Sequence, residues 1–151
     1  MKYTPKTDGI DHINVYSKGQ TELGRLLSNF AQTPFRIPLM GNFESVEGFW
    51  YWYLTGAEKL RLLSGYNAKA YGQACLKAQP TIHNRKESKF PKRVLRIAYR
   101  AKLQYHHVIK EMLLENKLPL THYYVFNSKI SVPKQFQWTA ELWEEIKQER
   151  Q

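Results

Sequence analysis

Phe43-Glu44-Ser45-Val46-Glu47-Gly48-Phe49-Trp50-Tyr51-Trp52-Tyr53 is the most aromatic stretch of this chain, and its reading decides the fold. Ser45 is placed to cap a helix over residues 45–55, and Val46, Phe49, Trp50, Tyr53, Leu54 and Ala57 then share one face. Glu47 lies at the edge of that face, beside Trp50, Tyr51 and Leu54. Partial burial there raises a carboxyl pKa, whereas a place in the first turn lowers it through the helix dipole, so sequence leaves the sign open. Two uses remain for Glu47: a proton-handling group lined by stacking surfaces, or a carboxylate that only caps the helix while the rings fill a core.

Working outward, residues 1–11 read as a flexible arm, and His12-Ile13-Asn14-Val15-Tyr16-Ser17 alternates as a short strand. Lys18 to Gly24 read as a loop. The prolines in Pro34-Phe35-Arg36-Ile37-Pro38-Leu39 allow only an edge strand, followed by a turn at Met40-Gly41-Asn42. Beyond the aromatic stretch, helices are predicted over 57–63 and 67–78, separated by Ser64-Gly65-Tyr66. Residues 79–90 form an exposed polar loop that feeds a helix opened by Pro91. Its apolar stripe is Val94, Ala98, Ala101, Tyr105, Val108 and Met112, flanked by Leu95, Ile109 and Leu113, with a break near His106-His107. Lys102 falls on that flank, where its ammonium is partly buried unless it snorkels or meets an anion. A hairpin turning at Asn127-Ser128-Lys129 and a closing helix over 138–150, with Leu142, Trp143 and Ile146 inward, complete the pattern. The expectation is an α+β single domain over 12–151, mostly helical with a small antiparallel sheet.

The chain has 151 residues, of which 42% are hydrophobic and 14% aromatic, enough for a real core. No apolar run reaches the roughly 20 residues that span a bilayer, and the amino terminus lacks the apolar block of a signal peptide, so a soluble, cytoplasmic protein is expected. Cys75 is alone, which excludes an internal disulfide and a thiolate metal cluster. A formal charge of +10 predicts attraction to a polyanion or a phosphate-rich ligand. The excess concentrates between Lys77 and Lys102, where Arg85, Lys86, Lys89, Lys92, Arg93, Arg96 and Arg100 are opposed only by Glu87.

Several chemistries lack their residues. The glycines are scattered singly, so no phosphate-cradling loop exists. Adjacent His106 and His107 diverge by about 100 degrees on a helix and no paired carboxylate completes a set, so no metal site is expected. The serines lack the strand-turn-helix setting of a hydrolase elbow. A helix-turn-helix reader led by the Pro91 helix suits the charge, but its outer face carries arginines and few amides, which favours phosphate contact over base readout.

Taken in order, Ile13-Asn14-Val15-Tyr16-Ser17, Leu27-Ser28-Asn29-Phe30-Ala31-Gln32-Thr33-Pro34-Phe35 and Ser45-Val46-Glu47-Gly48-Phe49-Trp50 resemble the amino-terminal motifs of the NADAR superfamily. Ala98-Tyr99-Arg100-Ala101-Lys102-Leu103-Gln104, followed by Met112-Leu113-Leu114, resembles that family's Ala-Lys-Phe helix and Leu-Leu segment. The resemblance spans roughly residues 12 to 125. It implies a NADAR-like α+β domain that cleaves N-glycosidic bonds of ribosylamino or ADP-ribosyl compounds, in some members removing ADP-ribose from guanine in DNA to counter a DNA-modifying toxin.

On that resemblance Glu47 is the acid/base and Lys102 a cationic group of the pocket. Asn29, with Ser28 and Phe30 of the same turn, contacts ribose or base. Trp50, Tyr51 and Trp52 offer rings to a purine. Lys102 either holds a diphosphate or, once deprotonated, attacks an opened ribose as an amine. Arg85, Lys86, Lys89, Arg93, Arg96 and Arg100 would meet phosphate or nucleic acid. No cofactor and no metal is implied. Three departures stand out: Gly48 replaces the family histidine, the tryptophan of the basic loop has only Glu87 or Phe90 nearest to it, and the glycine-asparagine-rich closing loop is replaced by Tyr123-Tyr124-Val125-Phe126-Asn127-Ser128-Lys129. The expected function is therefore removal of ADP-ribose from a nucleobase, with guanine in DNA foremost. The alternatives are a binder of ADP-ribose-like nucleotides or nucleic acid without turnover, and a glycosidase of small ribosylamines.

Overall fold

The computed structural model describes residues 3–79, 91–133 and 137–150. Within them six α-helices and three two-stranded ladders give an α+β architecture. Two of the ladders are antiparallel, as expected, and the third is parallel. The chain divides into two compact units, residues 29–106 and residues 1–28 with 107–151.

In the unit of residues 29–106, β2 (Phe35–Ile37) and β3 (Gly41–Phe43) form a hairpin, followed by α2 (Val46–Thr55), a 3-10 turn (Glu58–Leu62), α3 (Gly65–Ala78) and α4 (Pro91–Tyr105). Phe35, Phe43 and Phe49 are buried together with Trp52 and Tyr53 around them, ring centroids 5.0–6.4 Å apart. Each buried phenylalanine contributes about 2–3 kcal/mol, and the tilted and edge-on pairs add about 1 kcal/mol apiece. This cluster fixes the hairpin on α2.

The hairpin turns at Ile37–Met40 and not at Met40-Gly41-Asn42: the Met40 N–H donates to the Ile37 carbonyl at 3.0 Å, and Leu39 carries φ 71°. Pro38 suits the second position of such a turn, but the third demands a positive φ that costs leucine about 1 kcal/mol. On α4 the expected stripe holds at Val94, Ala98 and Ala101, yet Tyr105 and Val108 are exposed while Tyr99, Lys102 and Leu103 are buried. The helix ends where a break was expected, at His106, whose ring nitrogen lies 2.7 Å from the Pro34 carbonyl.

In the other unit β1 (Ile13–Asn14) runs parallel to β4 (Leu120–Thr121), with α1 (Glu22–Leu27), α5 (His107–Glu115), the hairpin β5 (Tyr124–Phe126) and β6 (Lys129–Ser131), and α6 (Trp138–Arg150). Residues 22–24 belong to α1, not to a loop. Thr21 caps it by accepting the Gly24 N–H at 2.9 Å, and a side chain at Gly24 would collide with the Asn14 carbonyl. Leu142, Trp143 and Ile146 of α6 are fully buried, and the Trp143 indole N–H donates to the Leu27 carbonyl at 3.0 Å. From residue 3 onward the amino-terminal segment is tied down, because buried Asp8 accepts the Asn14 and Gln20 N–H groups at 2.9 Å each.

Candidate active site

The first turns of α2 and α3 are stitched together by the segment that leads into them. The Asn29 carbonyl accepts the Glu47 N–H at 2.9 Å, and the Phe30 carbonyl accepts the Gly65 N–H at 3.0 Å. Ser45 accepts the Gly48 N–H at 3.0 Å and donates its hydroxyl to the Leu63 carbonyl at 2.8 Å. Both strings end helix-start N–H groups that would otherwise lack partners. A side chain at position 48 would collide with the Leu60 carbonyl and come within 2.9 Å of that of Leu63, so the helix can sit this close only with Gly48.

From there α2 and α3 run side by side in the same direction. Glu47 faces the charge of Lys69, Tyr51 covers Gly72 and meets Gln73, and Leu54 packs with Leu76. These rungs fall at one-turn intervals on both helices, as a ridge-to-ridge contact requires. The Tyr51 ring fills the space that a Cβ at Gly72 would take, and Trp50 joins it against Leu54 and Leu76.

Burial dominates the electrostatics of Glu47. Loss of water raises its pKa from 4.5 to about 7, and the positive charge of Lys69 offsets only part of that. The sign that sequence left open is therefore upward, and the helix-dipole contribution loses. Among the described residues no side chain hydrogen-bonds this carboxylate. Burial, followed by the charge of Glu47, pushes the Tyr51 phenol up to about 12, with a Gln73 hydrogen bond working the other way. Tyr99 is wholly buried on α4; burial raises its pKa first and Glu47 adds to it, while its hydroxyl donates to the Asn29 side-chain oxygen at 2.6 Å. Glu47, Asn29, Tyr51, Tyr99 and Lys69 thus form one electrostatic group.

Lys102 lies one turn beyond Tyr99 on α4 and is 0% exposed, so it does not snorkel. Burial lowers its pKa from 10.5 to about 7. At neutral pH Glu47 and Lys102 can each carry or release a proton, which is the condition for general acid–base or nucleophilic work.

Of the other candidates, Ser28 closes α1 in the second unit, its N–H donating to the Arg25 carbonyl at 3.3 Å. Phe30 is half-buried and contributes its carbonyl. Arg93 and Arg100 are exposed on α4 and Arg96 is half-buried. Arg85, Lys86, Lys89, Glu87 and Phe90 lie outside the described residues. Trp52 has another occupation: its indole N–H donates to Glu58 at 2.5 Å, and the Arg61 guanidinium stacks 4.4 Å from its ring and 4.6 Å from that of Phe43.

Sequence reasoning missed Lys69 and Tyr99. Tyr99 left a signal, since it stands four residues after Leu95 and three before Lys102 and so belongs to the flank that already held them. Lys69 left none, because its approach to Glu47 depends on the register between two helices.

A hollow of about 330 Å³ is lined by Met40, Trp52, Tyr53, Leu54, Thr55 and Gly56, at the opposite end of α2 from Glu47. Among the described residues no three His, Cys, Asp or Glu side chains gather as metal ligands would, and no helix is long and apolar enough to cross a membrane. No family model, curated protein or solved structure matches the chain.

Proposed function

We propose that this protein is an N-glycosidase that removes ADP-ribose from a nucleobase, with guanine in DNA as the leading substrate. The observation that carries the proposal is Glu47: a carboxyl whose pKa burial brings to about 7, beside two phenols, a lysine and an asparagine in its own unit. Breaking a ribosyl C–N bond leaves negative charge on the departing base and positive charge on the sugar. A carboxylic acid protonated at neutral pH can hand its proton to the base nitrogen, and the resulting carboxylate then takes a proton from the water that completes hydrolysis. Transfer of this kind contributes roughly 100- to 10,000-fold.

Lys102 is assigned the role of the amine on its lowered pKa. Holding a phosphate needs only a cation, whereas attack on C1′ of a ring-opened ribose needs a neutral nitrogen, and a pKa of about 7 supplies it. The new C–N bond replaces the bond to the base, which leaves with the Glu47 proton. Water then releases ADP-ribose and returns the amine. Lys69 is left to face substrate phosphate, with the formal charge of +10 drawing a polyanion from a distance.

Incubation with an oligonucleotide carrying ADP-ribosylated guanine is expected to release ADP-ribose, and Glu47→Gln to abolish release while folding and binding persist. Unchanged release by that variant overturns the proposal. Borohydride should trap ADP-ribose on the protein, and Lys102→Met should prevent it. A second reading, binding without turnover, is favoured by the hollow lying at the far end of α2 from Glu47. A stable complex with the modified oligonucleotide, and no product from the unaltered protein, would establish that reading instead.

A further inference from the structure

Asn14, Asn29 and Asn116 each accept a hydrogen bond through the side chain, but only Asn14 and Asn116 also donate one. Asn14 donates its amide to the Tyr123 carbonyl at 3.0 Å while its Oδ1 accepts the Tyr123 N–H at 2.9 Å. Asn116 treats Leu118 in the same way, at 2.6 and 3.2 Å. Asn29 uses one end only. Its Oδ1 accepts the Tyr99 hydroxyl at 2.6 Å, and among the described residues nothing accepts from its Nδ2. No buried side-chain nitrogen or oxygen among them lacks a partner, so that Nδ2 stands open to solvent. Asn29 is half-buried, as Asn116 is, so exposure alone does not explain the difference.

The open end is nonetheless fixed. The backbone of Asn29 is pinned from α2, its carbonyl accepting the Glu47 N–H at 2.9 Å, and its side chain is pinned from α4 by Tyr99. Burial raises the Tyr99 pKa and the charge of Glu47 raises it further, so this phenol keeps its proton, and a buried O–H needs an acceptor. An amide set in this way turns Oδ1 toward Tyr99 and leaves its N–H bonds to face outward, next to the helix turn that carries Glu47.

We infer that Tyr99 is a positioning residue that fixes Asn29 as a donor to an acceptor-only atom of the leaving base, a ring nitrogen or a carbonyl oxygen. A sugar hydroxyl both donates and accepts, so it meets either end of a carboxamide and a fixed amide discriminates nothing there. An acceptor-only atom is met by one end alone. Phosphate oxygens also only accept, but the Glu47 carboxyl starts from the turn that Asn29 pins and repels an anion whenever it is ionised. A base carries no such charge until its bond to ribose breaks. An N–H already aimed at the base then binds more strongly as charge develops, which raises kcat and not affinity alone. The inference rests on the glycosidase reading and deepens it, narrowing the Asn29 contact from ribose or base to the base, with a stated polarity.

Tyr99→Phe keeps the ring in the core and removes the hydroxyl. The freed amide can turn, so kcat should fall about tenfold with KM nearly unchanged, while Asn29→Ala should cost about 100-fold in kcat. The double substitution decides whether one residue acts through the other. Once Asn29 is alanine, Tyr99→Phe should change kcat less than about twofold, and losses that multiply instead would overturn the inference. A second measurement needs no turnover. In the proton–nitrogen correlation spectrum of the whole chain, the Asn29 side-chain amide is identified by its loss in Asn29→Ala. It should move downfield on addition of 9-methylguanine, hold still with inorganic pyrophosphate, and respond less to the base in Tyr99→Phe. A shift with pyrophosphate, no shift with 9-methylguanine, or a shift that Tyr99→Phe leaves unaltered would each overturn the inference. If the parent releases no ADP-ribose from any substrate while the 9-methylguanine shift appears and depends on Tyr99, the glycosidase reading falls and the positioned donor stands.

Discussion

The two units bury polar side chains of different kinds. In the unit of residues 1–28 with 107–151 every group of the buried cluster has its partner: His12 has its ring nitrogens 2.7 Å from Asp11 and 2.7 Å from the Tyr123 hydroxyl. Asn14 donates to the Tyr123 carbonyl at 3.0 Å and accepts the Tyr123 N–H at 2.9 Å, and Asp8 accepts two backbone N–H groups. In the unit of residues 29–106, Glu47 loses water with no described side chain hydrogen-bonded to its carboxylate, and burial carries the pKa of both Glu47 and Lys102 to about 7. A satisfied network holds a fold in one conformation, whereas desolvated titratable groups hold stored electrostatic free energy that a substrate can release. The first cluster is defined by its hydrogen bonds, and the second by two titratable groups whose pKa burial brings to about 7.

The sharpest way to break that contrast is Glu47→Gln. Turnover should fall about 100- to 10,000-fold. Stability should move the other way: at pH above 7 the isosteric amide removes a carboxylate ionised at a desolvated site, a gain of about 2 kcal/mol once its partial exposure is allowed for. A urea midpoint that falls instead would show that Glu47 serves the fold. Asn14→Ala is the converse experiment. It removes two hydrogen bonds and leaves a buried N–H and a buried carbonyl of Tyr123 without partners, which costs about 2–4 kcal/mol. Its effect on the pH dependence of activity should be nil.

The contrast also predicts an unusual stability curve. Glu47 has a folded pKa above its unfolded value, so the folded state binds more protons between about pH 4.5 and 7 and stability falls as pH rises through that window. Lys102 has a folded pKa below its unfolded value, so the folded state binds fewer protons between about pH 7 and 10.5 and stability rises through that range. Together they place a shallow minimum of stability near pH 7, where activity, needing protonated Glu47 and neutral Lys102, is greatest. Lys102→Met should flatten the alkaline limb. Urea titrations across this range would reveal a maximum near neutrality if the two shifts do not exist.

The parts of this arrangement that sequence revealed were those written locally. Ser45, the ring spacing after it and the carboxylate at its edge placed α2 and singled out Glu47, and Lys102 stood out because an ammonium interrupts an apolar flank. The misplaced features depend on distant residues. Gly24 reads as a loop residue until the Asn14 carbonyl is found against it. The hairpin turn was drawn to Gly41-Asn42 because a leucine at positive φ breaks the chemistry by which turns are recognised. The break near His106 was legible, but the stripe on α4 failed already at Tyr105, because the face that helix buries is set by its packing on β2 rather than by its own spacing.

Lys69 is the residue for which that distinction matters most, and its substitution gives the finest test. Its charge is what lowers the Glu47 pKa against burial, so Lys69→Met should let that pKa rise and carry the alkaline limb of the activity profile upward by a fraction of a pH unit. The same substitution removes the cation assigned to substrate phosphate, so KM should rise while kcat at low pH, where Glu47 is already protonated, stays near the parent value. Lys69→Arg should restore both. A merely structural lysine would move neither limb, and a catalytic proton donor would lower kcat at every pH. The pH profile of kcat set beside that of kcat/KM therefore separates the three roles, and a profile unchanged by Lys69→Met would remove the helix-to-helix rung from the site.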